Sequence, residues 1–352
     1  MLCLVAVATL RRVREERSLI EVADRGGSRP RRSPRRFAGA VLSSIAVLVL
    51  AACGSSAGAG DGGGGGGEAG PTQLTVGYFP LVHTATAVEA QEAGHFADAG
   101  LDVELQQTAG GAQAIPSLVA GELDITYGNY TSALLAAQQG LPVRIIAGND
   151  VGADDHALMV APDAPYQGPA DLSGARIAVV NLSNIGTIAI NAVLEDAGVD
   201  ISTIQYVELP FPDMAAALSS GNVDAIWQVE PFQASALASG ARVLFKMFEG
   251  PVEGMPVAGW LTTEQYAQEH PDVIEAFRTA LDASITDLDG NRERLVELVP
   301  TYTKVPAPVV EQVALPDFDA TVDVDQLQKM ADLMLEYDVI DEEFDVSSII
   351  VQ

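Results

Sequence analysis

Small polar residues stand at positions where backbone amides and hydroxyls could hold an anionic molecule. Ser183, Asn184 and Gly186 precede one predicted helix, and Thr84 begins another. The first amide groups of a helix have no partner within it and carry a partial positive charge, so they can bind an anionic head without Lys or Arg. Each of these side chains can equally be a helix cap, and only their number favours a binding site.

Charged and aromatic residues near the same positions could recognise the rest of such a molecule. Glu230 follows a predicted strand, where its carboxylate either meets an amine on the ligand or remains a loop residue. His83 is open to the same two interpretations, a ligand contact or a capping residue. The candidate ligand-binding residues are Phe79, His83, Thr84, Gly110, Gly111, Asn129, Tyr130, Asn181, Ser183, Asn184, Gly186, Phe211, Trp227 and Glu230.

Two runs of alternating strands and helices must position these residues. The first run has strands at 74–79, 102–105 and 124–127 and helices at 84–99 and 112–120. The second has strands at 176–180, 205–209 and 224–228 and helices at 187–197 and 213–220. The order strand, helix, strand, helix, strand is typical of a parallel sheet with helices on its faces.

The two runs also repeat in their letters, about a hundred residues apart. Residues 118–124 match 218–224, and Ala-Gly-Leu at 99–101 matches Ala-Gly-Val at 197–199. A glycine just past a helix can take the left-handed capping conformation before the next strand begins. Two similar units predict two lobes with a ligand cleft between them.

The predicted fold is therefore α/β, with two lobes that are each a mainly parallel sheet flanked by helices. The predicted first lobe holds residues 71–150 and 256–352, and the second holds residues 151–255, with crossings near 148–155 and 249–256. Ligands of parallel sheets lie beyond the carboxyl ends of the strands. That rule selects six loops, at 79–86, 108–113, 128–131, 181–187, 210–213 and 228–232.

The amino-terminal region has the pattern of an export signal. Five Arg between positions 29 and 36 precede an apolar run at 37–52, which is short for a membrane span, and Leu-Ala-Ala-Cys at 50–53 resembles a bacterial lipobox. We expect residues 1–52 to be a lipoprotein signal, Cys53 to be lipidated, and the Gly-rich stretch 53–70 to be a flexible tether. The route of export, general or twin-arginine, and the translation of residues 1–28 stay open.

The charge of the chain argues against several classes of partner. Its net charge is −29, and because residues 1–52 carry ten Arg against four acidic residues, the remainder has a net charge of −35. Such a surface repels nucleic acid and anionic lipid, so we expect no nucleic-acid partner and no membrane contact other than the lipid on Cys53. We also expect a soluble monomer. Cysteines occur only at positions 3 and 53, which excludes a disulfide within the folded part.

The ordered motifs of the chain resemble those of a known family. They are Val-Gly-Tyr-Phe-Pro at 76–80, Gly-Leu-Asp-Val at 100–103, residues 118–124, Asp-Leu-Ser-Gly at 171–174, residues 217–225, Glu-Pro at 230–231 and His-Pro-Asp at 270–272. Together they resemble the nitrate/sulfonate/taurine and thiamine-precursor group of ABC-transporter solute-binding proteins, over roughly residues 72–285. The resemblance implies a two-lobed periplasmic-binding-protein fold that closes on its ligand and docks onto a permease with a separate ATPase.

We expect a binding protein on the outer face of the cell membrane, with no catalytic residue, metal or cofactor. A small organic anion, such as a sulfonate or taurine, is the favoured ligand, and a pyrimidine or thiamine precursor is the alternative. An enzyme on the same fold is a rival, opposed by the absence of Cys from residues 54–352 and of nucleophile-elbow, zinc-protease and phosphate-loop motifs. A sensing lipoprotein is a third interpretation.

Overall fold

The structure is a computed structural model and describes residues 70–352. The signal predicted for residues 1–52, the predicted lipidation of Cys53 and nearly all of the predicted tether lie outside the described residues. Within the described range, we find no helix that combines the length and apolar character of a membrane span.

Eleven strands of the described part of the chain form two separate sheets. The strands are β1 (Thr72–Tyr78), β2 (Leu101–Gln107), β3 (Ile125–Asn129), β4 (Val143–Val151), β5 (His156–Val160), β6 (Arg176–Val179), β7 (Gln205–Glu208), β8 (Ala225–Val229), β9 (Arg242–Lys246), β10 (Pro256–Thr263) and β11 (Asp317–Phe318). The first sheet has the order β11-β4-β10-β3-β1-β2, and the second has the order β7-β6-β8-β5-β9. The chain passes between the sheets after β4 and again before β10.

Twelve α-helices surround the sheets in the described range. They are α1 (Ala85–Glu92), α2 (His95–Asp98), α3 (Gly111–Val119), α4 (Tyr130–Gln138), α5 (Ile185–Asp196), α6 (Phe211–Ser219), α7 (Phe232–Ala238), α8 (Glu264–Glu269), α9 (Pro271–Leu288), α10 (Arg292–Tyr302), α11 (Ala307–Val310) and α12 (Val324–Glu336). The helix predicted for residues 84–99 is interrupted, because Gly94 takes a φ of 87° and separates α1 from α2.

The sequence repeat has a direct structural counterpart. Gly121 and Gly221 follow α3 and α6 with φ values of 73° and 71°, in the left-handed region that glycine accepts at no steric cost. The carboxylate of Asp124 then accepts a hydrogen bond from the backbone N–H of Thr75, over 2.7 Å. Asp224 accepts the equivalent bond from the Arg176 N–H, over 2.8 Å. The repeated letters thus join the start of the third strand to the first strand within each repeated unit, β3 to β1 and β8 to β6.

The two-sheet α/β architecture is confirmed, but each sheet is mixed rather than mainly parallel. The strands β1, β2 and β3 pair in parallel, as do β6, β7 and β8. The connecting strands β10, β4 and β11 extend the first sheet in antiparallel fashion, and β5 and β9 extend the second. None of these antiparallel pairs joins strands that are consecutive in the chain, so no strand–helix–strand unit fixes their relative direction.

The carboxyl-terminal helices cover the first sheet. The long helix α9 contacts α1 and α2, with Phe277 stacked on Phe96 at a centroid distance of 5.6 Å and edge-on to Trp260 at 5.3 Å. All three rings are buried, and burial of such apolar area holds α9 in place. The last helix, α12, contacts α4 and also α5, so it touches helices that follow strands of both sheets.

Candidate functional site

A cavity of about 220 Å³ lies where the two sheets face each other. Its walls come from the carboxyl ends of β1 and β3 in the first sheet and of β6 and β8 in the second. The amino-terminal ends of β5 and β10 contribute as well, because the start of an antiparallel strand lies beside the end of its neighbour. His156 pairs with Val229 in this way, and Ala258 pairs with Asn129. The cavity therefore occupies the edge at which parallel α/β sheets bind ligands.

The N-termini of two helices face this cavity. One helix follows a strand of the first sheet, and the other follows a strand of the second. The first turn of α3 contributes Gly111, and the start of α5 contributes Asn184 and Ile185. Gly111 allows the start of α3 to lie close to β3, because a Cβ at position 111 would lie 2.9 Å from the Cα of Gly128. The Asn184 side chain caps α5 by accepting a bond from the Gly186 N–H. No described residue that lines the cavity is Lys or Arg, and the backbone amides at these two helix ends offer a partial positive charge in their place.

Aromatic rings form one wall of the cavity. Phe79 and Phe211 lie nearly parallel with centroids 6.4 Å apart, and Phe211 meets Trp227 edge-on at 5.0 Å. Phe79 follows β1 and Trp227 lies in β8, so this wall joins both sheets. Gly186 makes room for the indole, since any Cβ on that residue would fall on the Trp227 ring. The buried indole Nε1 has no hydrogen-bond partner within the described part of the chain.

A buried cluster of imidazoles and carboxylates forms the cavity floor. His83 Nε2 lies 2.5 Å from Asp155 Oδ2 and 3.9 Å from Asp150 Oδ2. His156 Nε2 lies 3.9 Å from the same Asp155 oxygen, and the two imidazole centroids are 5.2 Å apart. Asn149 holds His83 in place, because its side-chain amide donates a hydrogen bond to the His83 carbonyl, over 3.1 Å.

Burial and charge shift the pKa values of this cluster in opposite directions. Burial lowers the pKa of His83, but the carboxylates of Asp150 and Asp155 outweigh it and raise the pKa to about 9. Burial lowers the pKa of His156 to about 4, and Asp155 only partly opposes that shift. Burial would raise the pKa of Asp155, yet the neighbouring imidazoles hold it below its usual value. At neutral pH the floor thus contains a charged His83–Asp155 pair and a neutral His156.

Nine of the predicted ligand-binding residues line the cavity. These are Phe79, His83, Gly110, Gly111, Asn129, Asn181, Asn184, Phe211 and Trp227. The five others, Thr84, Tyr130, Ser183, Gly186 and Glu230, do not line it.

The five residues away from the cavity surface have other contacts. The Thr84 hydroxyl donates to the Phe79 carbonyl, over 2.8 Å, and makes no side-chain cap bond to the helix that follows. Tyr130 is fully buried with its ring against Gly259, and Gly186 lies beneath Trp227. Ser183 borders a separate depression on the other side of α3.

Glu230 is completely buried, and its carboxylate faces backbone groups rather than the cavity. Its two oxygens accept hydrogen bonds from the N–H groups of Ala234 and Ala314, each over 3.0 Å. Burial raises the pKa of Glu230 to about 7, although these two bonds oppose the shift. The side chain therefore ties α7 to the segment after α11.

The most important residue that the sequence analysis missed is His156. It opens β5, a strand that the sequence analysis did not predict, and it comes directly after two Asp residues. The rule that ligands lie beyond the carboxyl ends of parallel strands does not select residues at the amino-terminal start of an antiparallel strand. A His beside acidic residues at the start of a buried apolar run was the available signal.

Comparison with known proteins places this architecture in a family. A family model described as NMT1/THI5 like matches residues 82–292, which is more than half of the chain. The chain belongs to this NMT1/THI5-like family. The resemblance drawn from the sequence motifs is thereby confirmed.

Two curated proteins are similar in sequence to parts of this chain. The taurine-binding periplasmic protein of Escherichia coli is 28% identical over 221 residues, covering 61% of this chain and 67% of that protein. The formylaminopyrimidine-binding protein of Halalkalibacterium halodurans is 24% identical over 274 residues, covering 76% and 80%. These relatives of the NMT1/THI5-like chain are binding proteins rather than enzymes.

A solved structure shows the same fold. The alkanesulfonate-binding protein SsuA of Xanthomonas axonopodis pv. citri, bound to MOPS, superposes with a TM-score of 0.70 at 19% identity. The match covers 80% of this chain and 99% of that protein. It establishes the periplasmic-binding-protein fold for this member of the family.

Proposed function

We propose that this chain is the extracytoplasmic solute-binding component of an ABC importer. It captures a small organic anion of the sulfonate class and delivers it to a permease driven by a separate ATPase. The proposal assigns no catalytic step to the chain, which acts as a monomer and binds no nucleic acid. Support comes from the cavity between the sheets and from relatives that bind taurine, aliphatic sulfonates and a formylaminopyrimidine.

The observation that carries the sulfonate assignment is the convergence of two helix N-termini on a cavity that no described Lys or Arg lines. Unpartnered amides in the first turns of α3 and α5 can donate to sulfonate oxygens, and both helix dipoles favour the negative charge. The rings of Phe79, Phe211 and Trp227 offer an apolar surface for the rest of the ligand. This division suits a molecule with one anionic end and one short carbon chain.

The test is a calorimetric titration of the purified protein with ethanesulfonate and with its uncharged isostere, ethanesulfonamide. We expect heat and a binding midpoint for the sulfonate and taurine, and at least tenfold weaker binding for the sulfonamide. At one hundred times its dissociation constant, the sulfonate should stabilise the fold by about 2.7 kcal/mol in a thermal shift assay. Equal binding of the charged and uncharged ligands would contradict the sulfonate assignment.

A second candidate is a neutral nitrogenous ring, such as an aminopyrimidine. The aromatic wall can stack on such a ring, and Trp227 Nε1 and the nitrogens of His156 are buried without partners in the described structure. Two of the candidate ligand-binding residues, Tyr130 and Glu230, take no part in this second proposal, because both side chains lie away from the cavity surface. Including 4-amino-2-methylpyrimidine in the titration separates the candidates, since binding of this compound alone would favour the second.

We also propose that the cavity closes around its ligand by rotation of the two sheets. The segments that pass between the sheets, at 152–155 and 247–255, are the hinges. A ligand that contacts both sheets stabilises only the closed arrangement, which makes closure favourable. Small-angle scattering of the protein should show a smaller radius of gyration at saturation, and an unchanged radius would contradict hinge closure.

The sequence supports attachment to the outer face of the membrane through lipid on Cys53. Replacing the thiol removes the only atom that such a lipid can use at this position, so Cys53→Ala should release the protein or block its processing. Membrane fractionation and mass spectrometry of the mature protein measure both outcomes. Retention of the variant in the membrane, with no lipid on the normal protein, would refute this assignment.

A further inference from the structure

The cavity floor contains three side chains whose ligating atoms converge. One ring nitrogen of His83, one ring nitrogen of His156 and a carboxylate oxygen of Asp155 all lie within 4.8 Å of one another. Each residue is no more than 2% exposed, so bulk water does not hydrate these groups. His83 and His156 both belong to the cavity wall, which leaves one side of the group open to a ligand.

Several polar atoms of this group have no partner within the described part of the chain. Both ring nitrogens of His156 are unpaired, as are Asp155 Oδ1 and the neighbouring Asp150 Oδ2. A buried polar atom without a hydrogen bond costs free energy, so such a concentration of atoms points to a bound species that satisfies them.

The charges around the group favour a cation. Three buried carboxylates, those of Asp150, Asp155 and Glu230, lie near the two imidazoles. No Lys or Arg pairs with these three carboxylates among the described residues. A divalent cation would offset the excess negative charge more fully than the single imidazolium can.

We propose that His83, Asp155 and His156 form a binding site for a divalent transition-metal ion of the zinc class, open to the cavity. Two imidazoles and one carboxylate are a ligand set that suits zinc and similar ions and leaves a coordination position free. This site departs from the expectation, drawn from the sequence, that the protein holds no metal. It does not depend on the identity of the organic ligand.

The two distances to the Asp155 oxygen are close to those that a metal site requires. Tetrahedral bonds of about 2.0–2.2 Å require ligand atoms about 3.3 Å apart. His83 Nε2 and Asp155 Oδ2 lie 2.5 Å apart and must separate by roughly 0.8 Å, whereas His156 Nε2, at 3.9 Å, must approach by roughly 0.6 Å. On binding, the proton shared by His83 and Asp155 leaves to solvent, and the nitrogen and oxygen lone pairs bond to the metal.

The test uses metal alone, with no organic ligand present. Chelator-treated protein is titrated with Zn²⁺ by calorimetry and with Co²⁺ by visible absorption, and we expect one ion per chain. Residues 54–352 contain no Cys, so thiolates of the folded part cannot compete. We expect His156→Gln to weaken binding at least tenfold, with circular dichroism confirming that the variant folds.

His95 is the matched control, because it forms an exposed pair with Asp287 over 2.6 Å. His95→Gln should bind zinc as the unaltered protein does. Crystals of the unaltered protein soaked in Zn²⁺ give a second measurement, with an anomalous peak expected between His83 and His156. The absence of binding, loss of binding in His95→Gln, or a peak elsewhere would overturn the proposal. Sulfonate binding in the calorimetric titration is a separate measurement, so the two proposals can fail independently.

Discussion

Replacing Gly186 tests the packing that shapes the aromatic wall. Gly186 is the second residue of α5, and the flat side of its backbone supports the Trp227 indole. In Gly186→Ala the new methyl group would overlap the ring. Trp227 is only 3% exposed and cannot move away from the helix without entering the cavity or displacing Phe211.

Two opposing terms set the magnitude. Alanine gains up to about 1 kcal/mol over glycine within a helix. Inserting a methyl group into a packed core costs about 1–3 kcal/mol, and a rigid ring places this site near the upper end of that range. The net expectation is a loss of about 1–2 kcal/mol in the free energy of unfolding, or roughly 2–6 °C in Tm.

The assay is urea unfolding, followed by the emission of the two Trp residues in the native state. Trp260 lies in β10 of the other sheet, so a native-state spectral change in the variant reports Trp227. The control is Gly168→Ala, where φ is −169° and no atom lies within 4 Å of the new Cβ. The control should stay within about 0.5 kcal/mol of the unaltered protein. If Gly186→Ala matched it in stability and emission, the packing described here would be wrong.

Two further substitutions separate structural from binding roles. Glu230→Ala leaves the N–H groups of Ala234 and Ala314 without their acceptor, so we expect urea unfolding to show a loss of about 1–3 kcal/mol while sulfonate affinity stays within threefold. Lost affinity with unchanged stability would instead make Glu230 a ligand contact. The hydrogen bond and charge of Arg176 lower the pKa of Asp224, so its stabilisation exists above the unfolded pKa of about 3.9 and disappears as pH falls through the folded value. Asp224→Asn should therefore cost about 1 kcal/mol at pH 7 and less at pH 3, and a loss that is equal at both pH values would contradict the ion pair.

Local patterns predicted the repeated units well, because the interactions that define them lie close together in sequence. The glycines at 121 and 221 and the aspartates at 124 and 224 each act within a few residues of a helix end or strand start. The loops after β1, β3 and β6 were found by the rule of strand ends. Two cavity residues that these loops supply, Asn129 and Asn184, also cap helices, so the two functions considered for Asn184, capping and ligand contact, are compatible.

The antiparallel strands could not be read in the same way. The burial of β4 is nearly continuous, and all five residues of β5 are buried, so neither strand shows the alternation of a half-exposed strand. Their pairing depends on contacts between distant parts of the chain, such as that of β5 with β8. For the same reason His156 was missed, and the two interpretations of Glu230 stayed open. Residues far away in sequence bring His156 to the cavity and turn the Glu230 carboxylate away from it.

The most direct test of the central claim is to measure sulfonate binding by a variant that lacks one backbone N–H at the start of α5. Ile185 is the first residue of α5 and follows Asn184, whose ψ of 160° is compatible with a following proline. Ile185→Pro removes one N–H without breaking a bond within the helix, and Ile185→Val retains that N–H with a similar loss of volume.

Calorimetry with ethanesulfonate compares the two variants. A hydrogen bond to a charged group is worth about 1.5–3 kcal/mol, so the proline variant should bind about 10- to 100-fold more weakly than the valine variant. Matching urea midpoints would show that both variants keep the fold. Equal affinities in the two variants would contradict the claim that the amino-terminal end of α5 holds the anion.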